Sequence, residues 1–269
     1  MKIAIISDIH SNPTALNVVL KDAKKKGCGR IVCLGDIVGY GYDPNGCIDI
    51  CRKKKIECLL GNHDAGLVGS LSLDWFNHFA ARAVERQRGL VSMENKEWLR
   101  LRPYTIVEQE GYNTKEEDKF KLAFSHGTLD MPERFDYIQY YSDAALEFSN
   151  LVSQKIRVLF VGHTHCANAY LYDDDYRISE TYIDFDDETT IDLNKGRSAI
   201  INVGSVGYPR NQPYTIYGIY DTEKHVFKHR ILPFDFDDYI SQMKESGAEM
   251  PYWVESRQKE AEARQIGFR

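Results

Sequence analysis

Two histidines separated by one threonine, His163 and His165, follow the apolar run Val158 to Val161 and a single glycine. Imidazoles at i and i+2 beyond an apolar strand are suited to metal ligation, and the pattern recurs along the chain. "IAIIS" runs into Asp8 and His10, "IVCLG" into Asp36, and "ECLLG" into Asn62, His63 and Asp64. "LAFS" runs into His126, and "AIINVGS" into a stretch carrying Arg210. Singly, each has an ordinary reading: Gly-Asn-His-Asp as a turn, Ser-His-Gly as a helix stop, Gly-Asp as a common strand exit. Together they put metal-type or phosphate-type side chains at the C-terminal end of every such run. That is where open α/β sheets build their sites.

The residue types define the chemistry. Asp, Asn and His without Cys form an oxygen and nitrogen ligand set suited to Mn, Fe, Zn or a similar divalent ion, with Mn the first choice. Asp8, His10, Asp36, Asn62, His126, His163 and His165 are too many for one tetrahedral ion. They suffice for two ions with one carboxylate between them. Two ions roughly 3.5–4 Å apart activate water and clamp both ends of an in-line displacement at phosphorus. The expected reaction is therefore metal-dependent hydrolysis of a small phosphorylated substrate.

The elements that must position these residues alternate at the start of the chain. Lys2–Ser7 is a short buried strand. Asn12-Pro13 supplies an N-cap and N1 proline for a helix with Leu16, Val19, Leu20 and Ala23 on one face, stopped at Gly27. "RIVCL" is a second strand, Asp43-Pro44 opens a second helix and "IECLL" is a third strand, so this part is α/β with right-handed crossovers and a parallel sheet. Leu73–Leu101 reads as helical, with Trp75, Phe76 and Phe79 on a core face. Strands follow near Thr105–Glu108, at "FKLAF" and at "RVLFV", with a helix over Ala144–Val152 and a charged turn at "NTKEED". Beyond Ala169 the chain is β-rich, with hairpin turns at "YDDDYR" and "DTEKH" and an acidic turn at "DFDDE". Phe236–Arg264 reads as two short helices, the second from about Pro251. The expected organisation is one domain over residues 1–235 with a helical extension, 236–269, packed on it.

Composition narrows the function classes. In 269 residues, 43% hydrophobic and 28% charged content describe a globular chain, and a net charge of −6 argues against a general grip on nucleic acid. No apolar run approaches the about 20 residues of a membrane span. The N-terminal apolar run is too short for a signal peptide and reads as the first strand of a cytoplasmic fold. The six cysteines contain no Cys-x-x-Cys pair and read as buried free thiols. Oligomeric state is left open by these residues.

In their order, "SDIH", "GDIVGYG", "GNHD", "SHG" and "GHTH" resemble the signature of the calcineurin-like metallophosphoesterase superfamily, with "NVGSVGYPRN" extending the match to Asn211. The chain looks closest to the small bacterial and archaeal phosphoesterases of the diadenosine tetraphosphatase or phosphodiesterase type. The resemblance implies an α/β/β/α sandwich of two mixed sheets flanked by helices. It implies Asp8, His10 and His165 on one ion, Asn62, His126 and His163 on the other, and Asp36 bridging. It also implies a catalytic His63 oriented by Asp64. One departure is visible: relatives that dephosphorylate proteins carry an arginine shortly after the Gly-Asp pair, where this chain has Gly39 and Tyr40. Arg210 is the expected replacement, because a guanidinium fork matches phosphate. The competing class is a non-catalytic scaffold on the same fold, which loss of metal ligands would mark; every motif position is filled here.

Overall fold

The first two helices start where asparagine and aspartate precede proline. The Asn12 carboxamide accepts the Ala15 amide at 3.0 Å and Pro13 opens α1 (Pro13–Lys25); Asp43 accepts the Gly46 amide at 2.8 Å and Pro44 opens α2 (Pro44–Lys53). Each cap satisfies a backbone donor that the first helical turn leaves unpaired. The two helices connect β1 (Lys2–Ile6), β2 (Cys28–Cys33) and β3 (Glu57–Cys58), which pair in parallel. This is a computed structural model, and it describes residues 1–110, 120–182, 190–194, 196–208, 214–251 and 254.

The chain between Leu73 and Leu101 is not one helical stretch. Asn77 and Ser92 each cap a new helix, accepting the Ala80 amide at 2.9 Å and the Asn95 amide at 3.2 Å. The result is a 3-10 turn, Leu73–Trp75, followed by α4 (His78–Leu90) and α5 (Met93–Arg100), numbered after α3 (Asn62–Val68). Trp75, expected in the core, is 82% exposed. The remaining strands are β4 (Thr105–Glu110), β5 (Phe120–Ser125), β6 (Ile156–Val161), β7 (Asn168–Tyr172), β8 (Ile178–Tyr182), β9 (Thr190–Asp192), β10 (Ser198–Asn202), β11 (Tyr214–Asp221) and β12 (Val226–Pro233). Two further helices are α6 (Tyr141–Gln154) and α7 (Phe236–Ser246).

Among the described residues the strands form two six-stranded mixed sheets, ordered β3-β2-β1-β11-β12-β9 and β4-β5-β6-β10-β7-β8. Alternation along each central strand explains the layering. In β1, Ile3 and Ile5 enter the core between the sheets while Ala4 and Ile6 face α1 and α2. In β6, Val158 and Phe160 face the other sheet while Leu159 and Val161 pack under α6. Both faces are covered, so these strands read as continuous apolar runs. Phe124 stacks on Phe160 in the inter-sheet layer and Phe227 lies tilted against Phe160, each contributing about 1.5–3 kcal/mol relative to exposure. The fold is thus an α/β/β/α sandwich of two mixed sheets flanked by helices, the architecture the resemblance implied. α7 adds Tyr239, Ile240 and Met243 to the same helix-side core as α1 and α2.

The turn 113–118, the acidic segment 184–188 and most of the expected second tail helix fall outside the described residues. No helix among the described residues is long and apolar enough to cross a membrane. All six cysteines are free; Cys33, Cys47, Cys51 and Cys58 are buried, whereas Cys166 is exposed against the expectation of burial.

Candidate metal centre

Beyond the ends of β1 and β2 the backbones stay zipped together. The Asp8 amide donates to Gly35 O at 3.0 Å, His10 N to Asp36 O at 2.9 Å and Ser11 N to Ile37 O at 2.9 Å. This pairing holds a conformation that side chains disfavour. Asp8, His10, Asp36, His163 and His165 all lie in the left-handed region, with φ of 54°, 46°, 54°, 67° and 61°. Each such residue costs about 1–2 kcal/mol, and strain of this kind persists only where the surroundings over-determine it. The loops also pass each other closely. A Cβ at Gly61 would lie 2.2 Å from Asp36 Oδ1, and one at Gly162 would lie 2.0 Å from Ser7 Oγ. That is why glycine precedes Asn62 and His163.

The two carboxylates are used alike. Asp8 Oδ2 accepts the His163 amide at 3.0 Å, and Asp36 Oδ1 accepts the His63 amide at 2.8 Å. In each case one oxygen locks a neighbouring motif and the other turns inward. Asp8 Oδ1 comes within 3.3 Å of His165 Nε2 and 3.7 Å of His10 Nε2. Asp36 Oδ2 lies 3.4 Å from His126 Nε2 and 3.7 Å from His10 Nε2, between the two groups of histidines.

Carbonyl oxygens fix the imidazole tautomers. His10 Nδ1 donates to Val38 O at 2.9 Å, His126 Nδ1 to Leu34 O at 3.1 Å, and His165 Nδ1 to Tyr208 O at 2.8 Å. A carbonyl only accepts, so each Nδ1 carries hydrogen, and in the neutral ring Nε2 presents a lone pair. His10 Nε2 and His165 Nε2 then face each other at 3.1 Å beside Asp8 Oδ1, which has no hydrogen-bond partner. His126 Nε2 lies 3.1 Å from both Asn62 Oδ1 and His163 Nδ1. Acceptors crowded this closely repel unless a metal ion or a proton sits among them. The oxygen and nitrogen donor set fits a divalent metal. Asp8, His10 and His165 form one group that could hold an ion, and Asp36, His126 and His163 another.

Electrostatics at the buried histidines follow the same geometry. Burial would lower the His126 pKa, but the Asp36 carboxylate wins and lifts it to about 9. Burial and the neighbouring His126 push His163 down to about 3. For Asp36, burial acts upward, and His126 with His63 overcomes it and holds the carboxyl well below its usual range. Metal-free protein at pH 7 therefore keeps a proton on His126, in the place of a cation. Metal and proton compete for that nitrogen. Loading the chelated protein with Mn at pH 7 is expected to release a proton from His126, and the release should fade as pH rises through about 9. Calorimetric titration in buffers of different ionisation enthalpy measures this; release that stays constant across that range would contradict it.

His63 lies in the first turn of α3 and stands at the mouth of the centre, edge-on to Phe76 at 5.2 Å and against Tyr40 at 4.7 Å. Burial lowers its pKa to about 4. The dyad expected with Asp64 is not formed. Neighbours in a helix point in different directions, and the Asp64 carboxylate instead accepts the amides of Gly61 at 3.1 Å, Ile37 at 3.2 Å and Val38 at 3.1 Å. Asp64 caps α3 and ties it to the Asp36 loop. Arg210 lies outside the described residues.

Several supporting side chains were not apparent from the sequence. Buried Gln87, on α4, accepts the Gly39 amide at 2.7 Å and donates to Gly41 O at 3.0 Å, holding the loop beside His63. Nothing in the charged helix around Gln87 signals this. Asn202 donates to Gly162 O at 2.7 Å and to Thr164 Oγ1 at 3.0 Å, and Ser205 Oγ to Asp8 O at 3.0 Å. Their position in "NVGS", directly after a buried strand, is the signal that could have found them. Tyr137 lies flat on His163, with ring centroids 3.9 Å apart and planes 5° apart. The mouth, about 60 Å³, is lined by Asp36, Asn62, His63, His163 and His165 within and by Trp75, Phe76, Asn77 and Tyr137 among its other walls.

Comparison with known proteins agrees with this geometry. Residues 1–225 match the family model of the calcineurin-like phosphoesterase superfamily domain. An uncharacterized protein of Methanocaldococcus jannaschii is 35% identical over 257 residues, covering 95% of this chain and 96% of its own length. A metallophosphoesterase from Sphaerobacter thermophilus superposes with a TM-score of 0.75 at 31% identity, over 93% of this chain and 95% of that one. A hypothetical protein from Pyrococcus horikoshii shares the fold, with a TM-score of 0.70 at 17% identity, over 92% of this chain and 94% of that one. The chain belongs to the calcineurin-like phosphoesterase superfamily and is a metallophosphoesterase, a hydrolase of phosphoric esters.

Proposed function

We propose that this chain hydrolyses a small, nucleotide-type phosphoester at a two-ion centre, with Mn the favoured metal. The observation that carries the reading is the crowding of His10 Nε2, His165 Nε2 and Asp8 Oδ1, whose lone pairs converge without a hydrogen between them. Asp8, His10 and His165 would hold one ion and Asn62, His126 and His163 the other, with Asp36 shared. Bound divalent ions supply Lewis-acid activation of water and of the phosphoryl oxygens.

The remaining roles belong to the chain. The rigid, zipped loops hold the ligands in place before substrate arrives, so little reorganisation is needed during reaction. His63 is neutral in the free protein; a phosphoryl dianion beside it favours the imidazolium. It then donates a proton to the departing oxygen or a hydrogen bond to the phosphoryl group. Asp64 acts through α3 by holding the turn from which His63 projects. Arg210 is the candidate for gripping a further phosphoryl oxygen. Six free thiols fit a reducing compartment, the cytoplasm.

The test is turnover of p-nitrophenyl phosphate and bis(p-nitrophenyl) phosphate by the Mn-loaded protein, before and after chelation. Turnover of at least one ester should vanish with chelator and return with added Mn. Turnover that survives complete metal removal would reject the mechanism, and a fully loaded but inert protein would favour the scaffold reading.

A further inference from the structure

Trp75 is 82% exposed at the rim of the metal-site mouth, beside Phe76, Asn77 and Tyr137. A large apolar side chain left in water forgoes the free energy of burial, and the turn carrying this one is well anchored. Ser72 Oγ accepts the Asp74 amide at 3.3 Å, and the Phe76 amide donates to Leu73 O at 3.0 Å. Leu73 and Phe76 close on Gly66 of α3, where an added Cβ would come within 3.2 Å and 3.0 Å of them. The residues flanking Trp75 are packed, and the indole between them is held outward. Tyr137, 49% exposed, has one face on His163.

The mouth has Asp36, Asn62, His163 and His165 toward the metal centre and Trp75, Phe76, Asn77 and Tyr137 in its outer walls, so a phosphoryl group at the centre leaves the rest of an ester against those walls. Trp75, Phe76 and Tyr137 give this part of the mouth an aromatic lining, which suits a flat ring. Asn77 adds polar recognition: its Oδ1 is fixed on the Ala80 amide at 2.9 Å, which leaves the Nδ2 hydrogens as donors for a ring nitrogen or carbonyl. We propose that Trp75 and Tyr137 stack on the base of a nucleoside monophosphate unit whose phosphoryl group enters the metal centre. This rests on the phosphoesterase reading of the same site and deepens it by naming the group on the other side of the ester. Base-aromatic stacking makes such a ring bind about ten- to a hundredfold more tightly than its ring-free counterpart.

The experiment is calorimetric titration of the full-length, Mn-loaded protein with AMP, ribose 5-phosphate and inorganic phosphate. AMP should bind at least about tenfold more tightly than ribose 5-phosphate. Trp75→Ala should bring AMP to the ribose 5-phosphate level while leaving ribose 5-phosphate unchanged, and Trp75→Phe should keep most of the preference. Adenosine alone should quench tryptophan fluorescence in the wild type and not in Trp75→Phe. Equal affinities for AMP and ribose 5-phosphate in the wild type would overturn the proposal. So would equal weakening of both ligands in Trp75→Ala, or a changed elution volume in that variant with AMP affinity intact, which would mark a contact between copies. Inorganic phosphate separates the two readings: if it fails to bind the loaded protein while adenosine still quenches Trp75, the base site stands and the phosphoesterase reading falls.

Discussion

Asp36→Asn is expected to lower turnover by at least about 10³-fold and to strip the protein of bound metal. Among the described residues, Asp36 is the carboxylate that lies near an imidazole of each histidine group, 3.4 Å from His126 Nε2 and 3.7 Å from His10 Nε2. On the two-ion reading its loss removes charge neutralisation from both positions at once. Lewis-acid stabilisation of several kcal/mol is then forfeited, and each 1.36 kcal/mol is a factor of ten in rate. The substitution is nearly isosteric, and an asparagine oxygen can still accept the His63 amide, which Asp36 Oδ1 now does at 2.8 Å. Damage should therefore stay local. In chelator the variant should show the wild-type circular dichroism spectrum. Added Mn should raise the melting temperature of the wild type but not of the variant, because only a ligand that binds the folded state stabilises it. Metal analysis on gel-filtered protein completes the test. A variant that keeps two ions per chain and its rate would remove Asp36 from the centre.

Much of this site was legible because a covered strand reads as an unbroken apolar run, and the first polar residue after it marks a sheet rim. Asp8, Asp36, His126 and His163 each follow such a run after a single serine or glycine, and the structure brings their side chains within hydrogen-bonding range of one another's groups. Other features depend on contacts that sequence order does not carry. The helix at Asn62 was hidden because Gly61 is a poor signal for a start; its cap comes from Asp64 reaching back and across to Ile37 and Val38. Trp75 has the spacing of a core residue relative to Phe79, yet Asn77 starts a fresh helix between them and takes Trp75 off the apolar face. Gln87 holds a loop more than forty positions earlier, a contact set by tertiary packing alone. The antiparallel partner of β1, β11, likewise comes from the far end of the chain; local alternation of strand and helix announces only the parallel part of that sheet.

His63→Ala is expected to lower the chemical rate by about 10²- to 10⁴-fold, the range for general acid–base catalysis, with metal content unchanged. The geometry offers a rival role, since His63 stands close enough to His10 and Asp36 to join them around an ion. Hydrogen bonding separates the two. His10, His126 and His165 each spend Nδ1 on a backbone carbonyl and so aim Nε2 inward. His63 Nδ1 is buried without a hydrogen-bond partner, packed over Gly39, where a Cβ would sit 2.2 Å away. A ring without that tether is poorly fixed as a ligand and better placed to exchange a proton. Loss of ions in His63→Ala would decide for ligation. If the ions stay, the leaving group tells which catalytic task is lost. An alkyl phosphate departs as a basic alkoxide and needs a proton, whereas nitrophenolate leaves without one. Loss confined to the alkyl ester assigns His63 to protonating the departing oxygen. Equal loss on both esters assigns it to holding the phosphoryl oxygens, which every ester presents alike.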